Sequence, residues 1–174
     1  MLTGELVTLR AITPEDLDVL YALAADLQTW EQRSPWPPGP LNRTEWEERL
    51  IARLKEPNTV EFGIEADHAL VGTCSLMQVD LLARNAEVGI ALIDGARGHG
   101  FGTDALRILA EFAFTRRNLH RIHLQVLAAN TGAVACYRKV GFVEEGRRRE
   151  NAWVRGHYVD DLVMGLLRAD WAAP

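Results

Sequence analysis

Three groupings in this chain have residue types and spacing suited to chemistry: the glycine run Arg97-Gly98-His99-Gly100-Phe101-Gly102-Thr103, the pair Asn130 and Tyr137, and the acid Glu87. The glycine run stands between an alternating stretch and the most amphipathic helical stretch of the chain, a setting that points several backbone N–H groups at one spot. Glycine permits positive φ and a close backbone approach, and a helix start carries roughly half a positive elementary charge, so the run suits a pyrophosphate without any lysine. A Walker A loop needs Gly-Lys-Ser/Thr, which is absent, and a dinucleotide fingerprint needs GxGxxG where this chain has GxGxG. On its letters alone the run serves equally as a chain-reversing turn.

Asn130 and Tyr137 are seven residues apart, which at about 100° per residue returns to nearly the same helical face. Both then line one cleft; taken alone, they read as a helix cap and a core aromatic. Glu87 opens an alternating stretch on the side of Gly89 and Ala91 and opposite Val88, which makes it a candidate general base or else a solvated or salt-bridged acid at a strand end. His99, His120 and His123 read as structural or surface residues, and no ligand spacing points to a metal. Cys74 and Cys136 lie far apart and outside any CxxC pattern, so they read as free thiols, with Cys136 packing rather than acting as a nucleophile.

These residues need elements to hold them. Glu5 to Arg10 alternates as a strand, and helices are predicted from Pro14 to about Ala25, behind a Thr13 cap, and from about Arg43 to Leu54. Between the helices, Ser34-Pro35-Trp36-Pro37-Pro38-Gly39-Pro40 enforces an extended loop. Strands follow over Val60 to Ala66, Ala69 to Val79 and Asn85 to Ile93, the first two joined by a tight turn at Asp67-His68. A helix from about Thr103 to Arg116 then presents Leu106, Leu109, Phe112 and Ala113 on one face. A strand from Arg121 to Leu127, a short helix from Asn130 to Val140, and strands over Phe142 to Arg149 and His157 to Leu167 complete the order. This is an α/β (α+β) chain built as one mixed layer around a single sheet, and not the regular alternation of a doubly wound fold.

Composition narrows the partners. With 174 residues and 48% hydrophobic content the chain fits one domain, 1–174, around one core. A formal net charge of −5 argues against nucleic-acid binding and suits a cationic acceptor. No stretch reaches the roughly 18 consecutive apolar residues of a membrane span and the start lacks a signal-peptide layout, so no membrane association and a cytoplasmic location are expected. The run Arg147-Arg148-Arg149 reads as a solvated strand end or as a coenzyme phosphate contact.

Arg97-Gly98-x-Gly100-x-Gly102, in its strand, loop and helix setting, resembles the Arg/Gln-x-x-Gly-x-Gly/Ala signature of the GNAT superfamily of N-acetyltransferases. Asn130-x-x-Ala133-x-x-x-Tyr137-x-x-x-Gly141-Phe142 resembles the second block of that family, in the expected order. The tail Trp153-Val154-Arg155-Gly156-His157-Tyr158-Val159-Asp160-Asp161 is similar to the terminal hairpin of Rim-type ribosomal-protein acetyltransferases and the related polyamine enzymes.

The resemblance implies a mostly antiparallel central sheet of about seven strands with helices on both faces, and two splayed parallel strands forming a cofactor cleft. It implies acetyl-CoA as co-substrate, with no metal, and a primary amine as acceptor, on a protein N-terminus or a small molecule. Pantetheine amides would pair with Val88, Gly89, Ile90, Ala91 and Leu92. The pyrophosphate would rest on Arg97, Gly98, His99, Gly100, Phe101, Gly102 and Thr103, and Asn130, Ala133 and Tyr137 would flank the arm. Tyr137 would then be the general acid for the departing thiolate, Asn130 a pantetheine or water contact, and Glu87 the base, acting through a water, with no covalent enzyme intermediate. Trp30, Trp36 and Trp46 would stand near the acceptor wall or simply pack the first helices. A homodimer is compatible with the family analogy. Two other readings stay open on the letters: a non-catalytic acyl-CoA sensor on the same fold, and an unrelated α/β binding module whose glycines are only a turn.

Overall fold

The computed structural model describes residues 1–27, 29, 31 and 39–171. Trp30, Trp36 and the proline run through Pro38 lie outside the described residues. Eight strands form one sheet: β1 Leu2–Thr3, β2 Thr8–Arg10, β3 Val60–Ala66, β4 Ala69–Asp80, β5 Asn85–Leu92, β6 Arg121–Leu127, β7 Val143–Val154 and β8 His157–Leu167. Their spatial order is β1-β2-β3-β4-β5-β6-β8-β7. Every neighbouring pair is antiparallel except β5 with β6. Helices α1 Leu17–Ala25, α2 Arg43–Leu54, α3 Phe101–Glu111 and α4 Thr131–Val140 complete the described elements.

Period-2 alternation gives the sheet two unlike faces. On one face Cys74, Leu76, Val88, Ile122, Leu124, Val126 and Met164 pack with Ala105, Leu106, Leu109, Ala113 and Phe114 from α3 and the turn after it. On the other, Leu20 of α1, Leu50 of α2 and Leu70 of β4 form a smaller cluster with Trp46 against it. Helices therefore cover both faces, as the resemblance implied.

The sheet has eight strands where about seven were expected, because Glu5 to Arg10 is not one strand. The chain turns at Gly4, whose N–H reaches Val7 O at 2.9 Å, and Leu2 pairs with Leu9 across the turn. A residue from much later in the sequence holds this turn. The carboxylate of Asp104, in the first turn of α3 and only 6% exposed, accepts from the N–H groups of Glu5 (3.3 Å), Leu6 (2.7 Å) and Val7 (2.9 Å). A side chain at position 4 would come within 2.5 Å of that carboxylate.

Other boundaries moved less. The first helix opens with a 3₁₀ turn at Pro14–Asp16, and α3 starts at Phe101 and passes into a π-helical turn, Phe112–Arg116, rather than running as one helix from Thr103. There Phe112 packs edge-on against Phe62 and Phe114 lies tilted against Trp171. The seventh strand runs to Val154 instead of Arg149, because Arg155 and Gly156, both at positive φ, close a two-residue turn onto β8. The expected turn at Asp67-His68 is present, again with both residues at positive φ.

Asp104→Ala leaves three N–H groups of the β1–β2 turn without their acceptor and should lower the unfolding free energy by about 3 kcal/mol, seen as a lower urea midpoint at unchanged slope.

Candidate active site

The only parallel pairing in the described sheet is short. Asn85, Ala86 and Glu87 of β5 pair with Arg121, Ile122 and His123 of β6, and the ladder then stops. Beyond it β5 stays on β4 as far as Leu92 against Gly72, and β6 stays on β8 as far as Leu127 against Asp161. The sheet thus opens into a V whose walls are Val88 to Leu92 and Leu124 to Leu127. Bulges flank its closed end. β4 shifts register between Met77 and Asp80, with Gln78 at φ 50, and β7 shifts between Glu144 and Gly146. A bulge bends its strand and increases its twist, which carries the two halves apart. The inner edge of β5 is left with backbone groups that want partners, and an extended chain bearing amides supplies them as an added strand would.

At the open end of the V, both parallel strands lead into helix N-termini. β5 runs through a 3₁₀ turn at Asp94–Ala96 and the glycine run into α3, and β6 runs through Asn130 into α4. The first N–H groups of a helix have no intrahelical acceptor and the macrodipole is positive there, so the mouth favours an anion. Gly98 and Gly100 have φ of 80° and 87°, so both use the freedom of glycine. A Cβ at Gly98 would meet nothing within 4 Å, so its backbone is open to a ligand. Gly102 differs: a Cβ there would make ordinary contacts with Leu92, Cys136 and Ile90, which agrees with a motif position that admits alanine.

The other loop residues divide. Arg97 turns its guanidinium inward, to Leu92 O (3.2 Å), Thr29 Oγ1 (2.7 Å) and Asp94 (3.1 Å), so its side chain braces the loop against the end of β5. His99 is exposed and stacks on Phe101, with ring centres 5.8 Å apart. Thr103 Oγ1 meets Cys136 Sγ at 3.3 Å, which ties α3 to α4.

The second motif has a physical reading at nearly every letter. Asn130 caps α4, its Oδ1 accepting from Ala133 N at 3.2 Å, which leaves the amide N–H groups of the side chain for the cleft. Gly141, at φ 110, ends the helix in the left-handed conformation. Phe142 N then donates to Tyr137 O at 3.1 Å, and the Phe142 ring packs edge-on against Tyr137 at 5.8 Å. The closing turn therefore grips Tyr137 at both backbone and ring. Tyr137 is 7% exposed and burial pushes its hydroxyl well above the ordinary tyrosine pKa, so it stays protonated. Its hydroxyl has no partner among the described residues. Burial also raises the thiol pKa of both cysteines, Cys136 and the deeper Cys74, which suits packing and not nucleophilic chemistry.

Glu87 lies on the opposite face of β5 from Ala86 and Val88, at the last paired level before the strands part. Other acids near this face are occupied. Glu61 is held by Arg53 at 2.8 Å, Glu145 by the two terminal guanidinium nitrogens of Arg121, and Asp161 accepts from Asn151 at 2.6 Å. Glu87 has no hydrogen-bond or ion-pair partner among the described residues. Trp46 packs on Tyr21 at 5.4 Å and also lines a small cavity with Leu20, Leu23, Leu50, Arg53 and Glu61. Within the arginine run, Arg147 pairs with Asp160 and Arg148 bonds Gln125. Among the described residues there is no cluster of metal-ligating side chains and no helix long and apolar enough to cross a membrane. Sequence reasoning missed Asp104, Thr29 and the register of His123. Their partners lie far away in the chain, so no local pattern marks them.

Comparison with known proteins follows the same lines. Residues 7–143 match the acetyltransferase (GNAT) domain. The chain is 30% identical to the spermidine N(1)-acetyltransferase of Vibrio cholerae, with 95% of each chain covered. It is 32% identical to the N-alpha-acetyltransferase RimI of Mycobacterium tuberculosis over 87% of this chain and 88% of that protein. Among solved structures, spermidine N-acetyltransferase from Vibrio cholerae in complex with CoA and spermine superposes with a TM-score of 0.87 at 28% identity, covering 94% of this chain and 96% of that one.

The glycine loop is best tested at Gly98, since a Cβ at Gly100 would come within 3.1 Å of Leu6. Asn and Asp tolerate the left-handed conformation about equally and have nearly the same shape, so Gly98→Asp and Gly98→Asn differ mainly in charge. Calorimetric titration should show coenzyme A bound about tenfold more weakly by the Asp variant than by the Asn variant; equal affinities would remove the pyrophosphate from this loop.

Proposed function

The chain belongs to the GNAT family of acetyltransferases, and from that premise we propose that a single catalytic domain carries acetyl from acetyl-CoA to a primary amine by direct attack, with Glu87 as base and Tyr137 as acid. The observation that supports this most is the parting of β5 from β6, with the glycine loop at its mouth and Glu87 at its closed end. The residues present fit the co-substrate. The inner edge of β5 from Val88 to Leu92 would pair with pantetheine amides, the backbone at Gly98 to Thr103 would hold the pyrophosphate, and Asn130 and Ala133 would border the arm. The co-substrate supplies an activated acyl group as a thioester. Relatives named for spermidine and for protein N-termini support an amine acceptor, and a cytoplasmic setting suits a reaction that draws on acetyl-CoA.

The chain's own groups would divide the proton traffic. An amine attacks only when its lone pair is free, so Glu87, which no cation neutralises among the described residues, takes a proton from the acceptor ammonium, directly or through a water. The nitrogen lone pair then forms the C–N bond as the C–S bond breaks. Tyr137, kept protonated by burial, gives its proton to the sulfur and is restored by the second proton, which the nitrogen sheds as it becomes an amide. Cys136 takes no part as nucleophile, because its thiol pKa is raised and its sulfur packs against Thr103.

Thiol release in a screen of amines tests the reading, and a parent that binds coenzyme A but acetylates no amine would turn it towards a sensor on the same fold. With an active amine, Tyr137→Phe should lower kcat by about 10²- to 10⁴-fold with little change in coenzyme A affinity. Because the tyrosine pKa is raised, ionisation of Tyr137 should cause no fall in kcat up to about pH 10; a basic limb at lower pH that disappears in Tyr137→Phe would refute the assignment.

A further inference from the structure

The face of the sheet that carries Glu87 holds a ring that the reading above leaves idle. His123 occupies the register position of Glu87 on the neighbouring strand. Adjacent strands lie roughly 5 Å apart, and paired residues point to the same face, so carboxylate and imidazole share the closed end of the V. On its other side His123 stands opposite Gly165 of β8. A side chain at 165 would run into Arg121 and Glu145, so that ion pair fills the space over the glycine. Glu145 is held below the usual carboxylate range chiefly by its bonds to Arg121, with a lesser pull from His123. Its demand for donors is met. Glu87 is the acid beside His123 that has no partner among the described residues.

The ring is not symmetric in its surroundings. Its Nδ1 is buried and has no partner among the described residues. A proton on that nitrogen would be an unsatisfied buried donor, whereas a bare lone pair there costs less, so the neutral ring carries its proton on Nε2. Glu87 and His123 are not hydrogen-bonded in this structure; we infer that His123 is a positioning residue whose ring, when the acceptor binds, donates from Nε2–H to one oxygen of Glu87 and leaves the other oxygen aimed at the acceptor ammonium. The charged groups facing the ring are Glu87 on β5, Glu145 on β7 and Arg121 on its own strand. Met77, paired with Glu87 on β4, and Gly165 on β8 bring none. A donor to the carboxylate favours its charged form and restricts its rotamers, so it fixes the direction in which the base meets the amine. This inference rests on Glu87 being the base.

The test is the pH dependence of kcat/KM with one fixed amine, measured for the parent, His123→Gln, His123→Asn, His123→Leu and Glu87→Gln, with coenzyme A affinity and thermal midpoint recorded for each. The Gln amide nitrogen reaches the place of Nε2, and the Asn amide reaches only that of Nδ1. His123→Gln should keep the acidic limb of the parent. In His123→Asn and His123→Leu the limb should move to higher pH and kcat should fall about 10- to 100-fold, with coenzyme A affinity unchanged. Limbs that stay in place in the Asn and Leu variants, or that move alike in all three, while Glu87→Gln abolishes turnover, overturn the inference alone. Full turnover by Glu87→Gln overturns the base assignment and the inference with it.

Discussion

One broken ladder organises this molecule. β5 and β6 pair over Asn85–Glu87 and Arg121–His123 and then separate, although each continues as a strand with its other neighbour. Unpaired backbone inside a sheet is costly unless something answers it, so such an edge suits a guest with its own amides. The parallel sense of the pair matters as much as the gap. Both chains leave the V in the same direction, so both succeeding helices start at its mouth and add their N-terminal dipoles there. A single topological choice thereby supplies an open strand edge, two helix N-termini that favour an anion at one end and a narrow vertex at the other.

Holding that shape falls to small devices at the ends of elements. Asn130 starts α4, Gly141 and Phe142 stop it, and between them the position of Tyr137 is fixed to within a turn of helix. Asp104 turns the acidic side chain of the first α3 turn away from the loop and onto the N–H groups of residues 5–7. A carboxylate left facing the mouth would oppose an anionic ligand; spent on the β1–β2 turn, it instead anchors the N-terminal strands to the helix. The acids near the vertex are treated in the same manner, with Arg53, Arg121 and Asn151 each claiming one.

Much of this was readable in the letters, and the rest was hidden for definite reasons. Alternation and helical spacing located β3 to β6, α2, α4 and β8 to within a residue or two, because each has one buried face that sets its period. The glycine run and the Asn130 to Phe142 block were visible as patterns, although the splay between their strands came from family likeness and not from any residue of β5 or β6. The β1–β2 turn was missed because its acceptor, Asp104, lies in a distant helix. The π-helical turn at Phe112–Arg116 was missed because one widened turn barely alters an apolar stripe. Gln78 and Glu150 adopt positive φ without being glycine, so the bulges they belong to carry no letter that announces them. His123 looked like one more polar residue on a strand until pairing set it beside Glu87.

Arg97 has a consequence that reaches beyond chemistry. Its guanidinium joins the end of β5, the glycine loop and Thr29 of the N-terminal segment in one cluster. Substitutions in the N-terminal segment that removed the Thr29 hydroxyl would also loosen a strut of the glycine loop. A change at Thr29 is therefore felt at the end of β5 and in the glycine loop, 68 residues further along the chain.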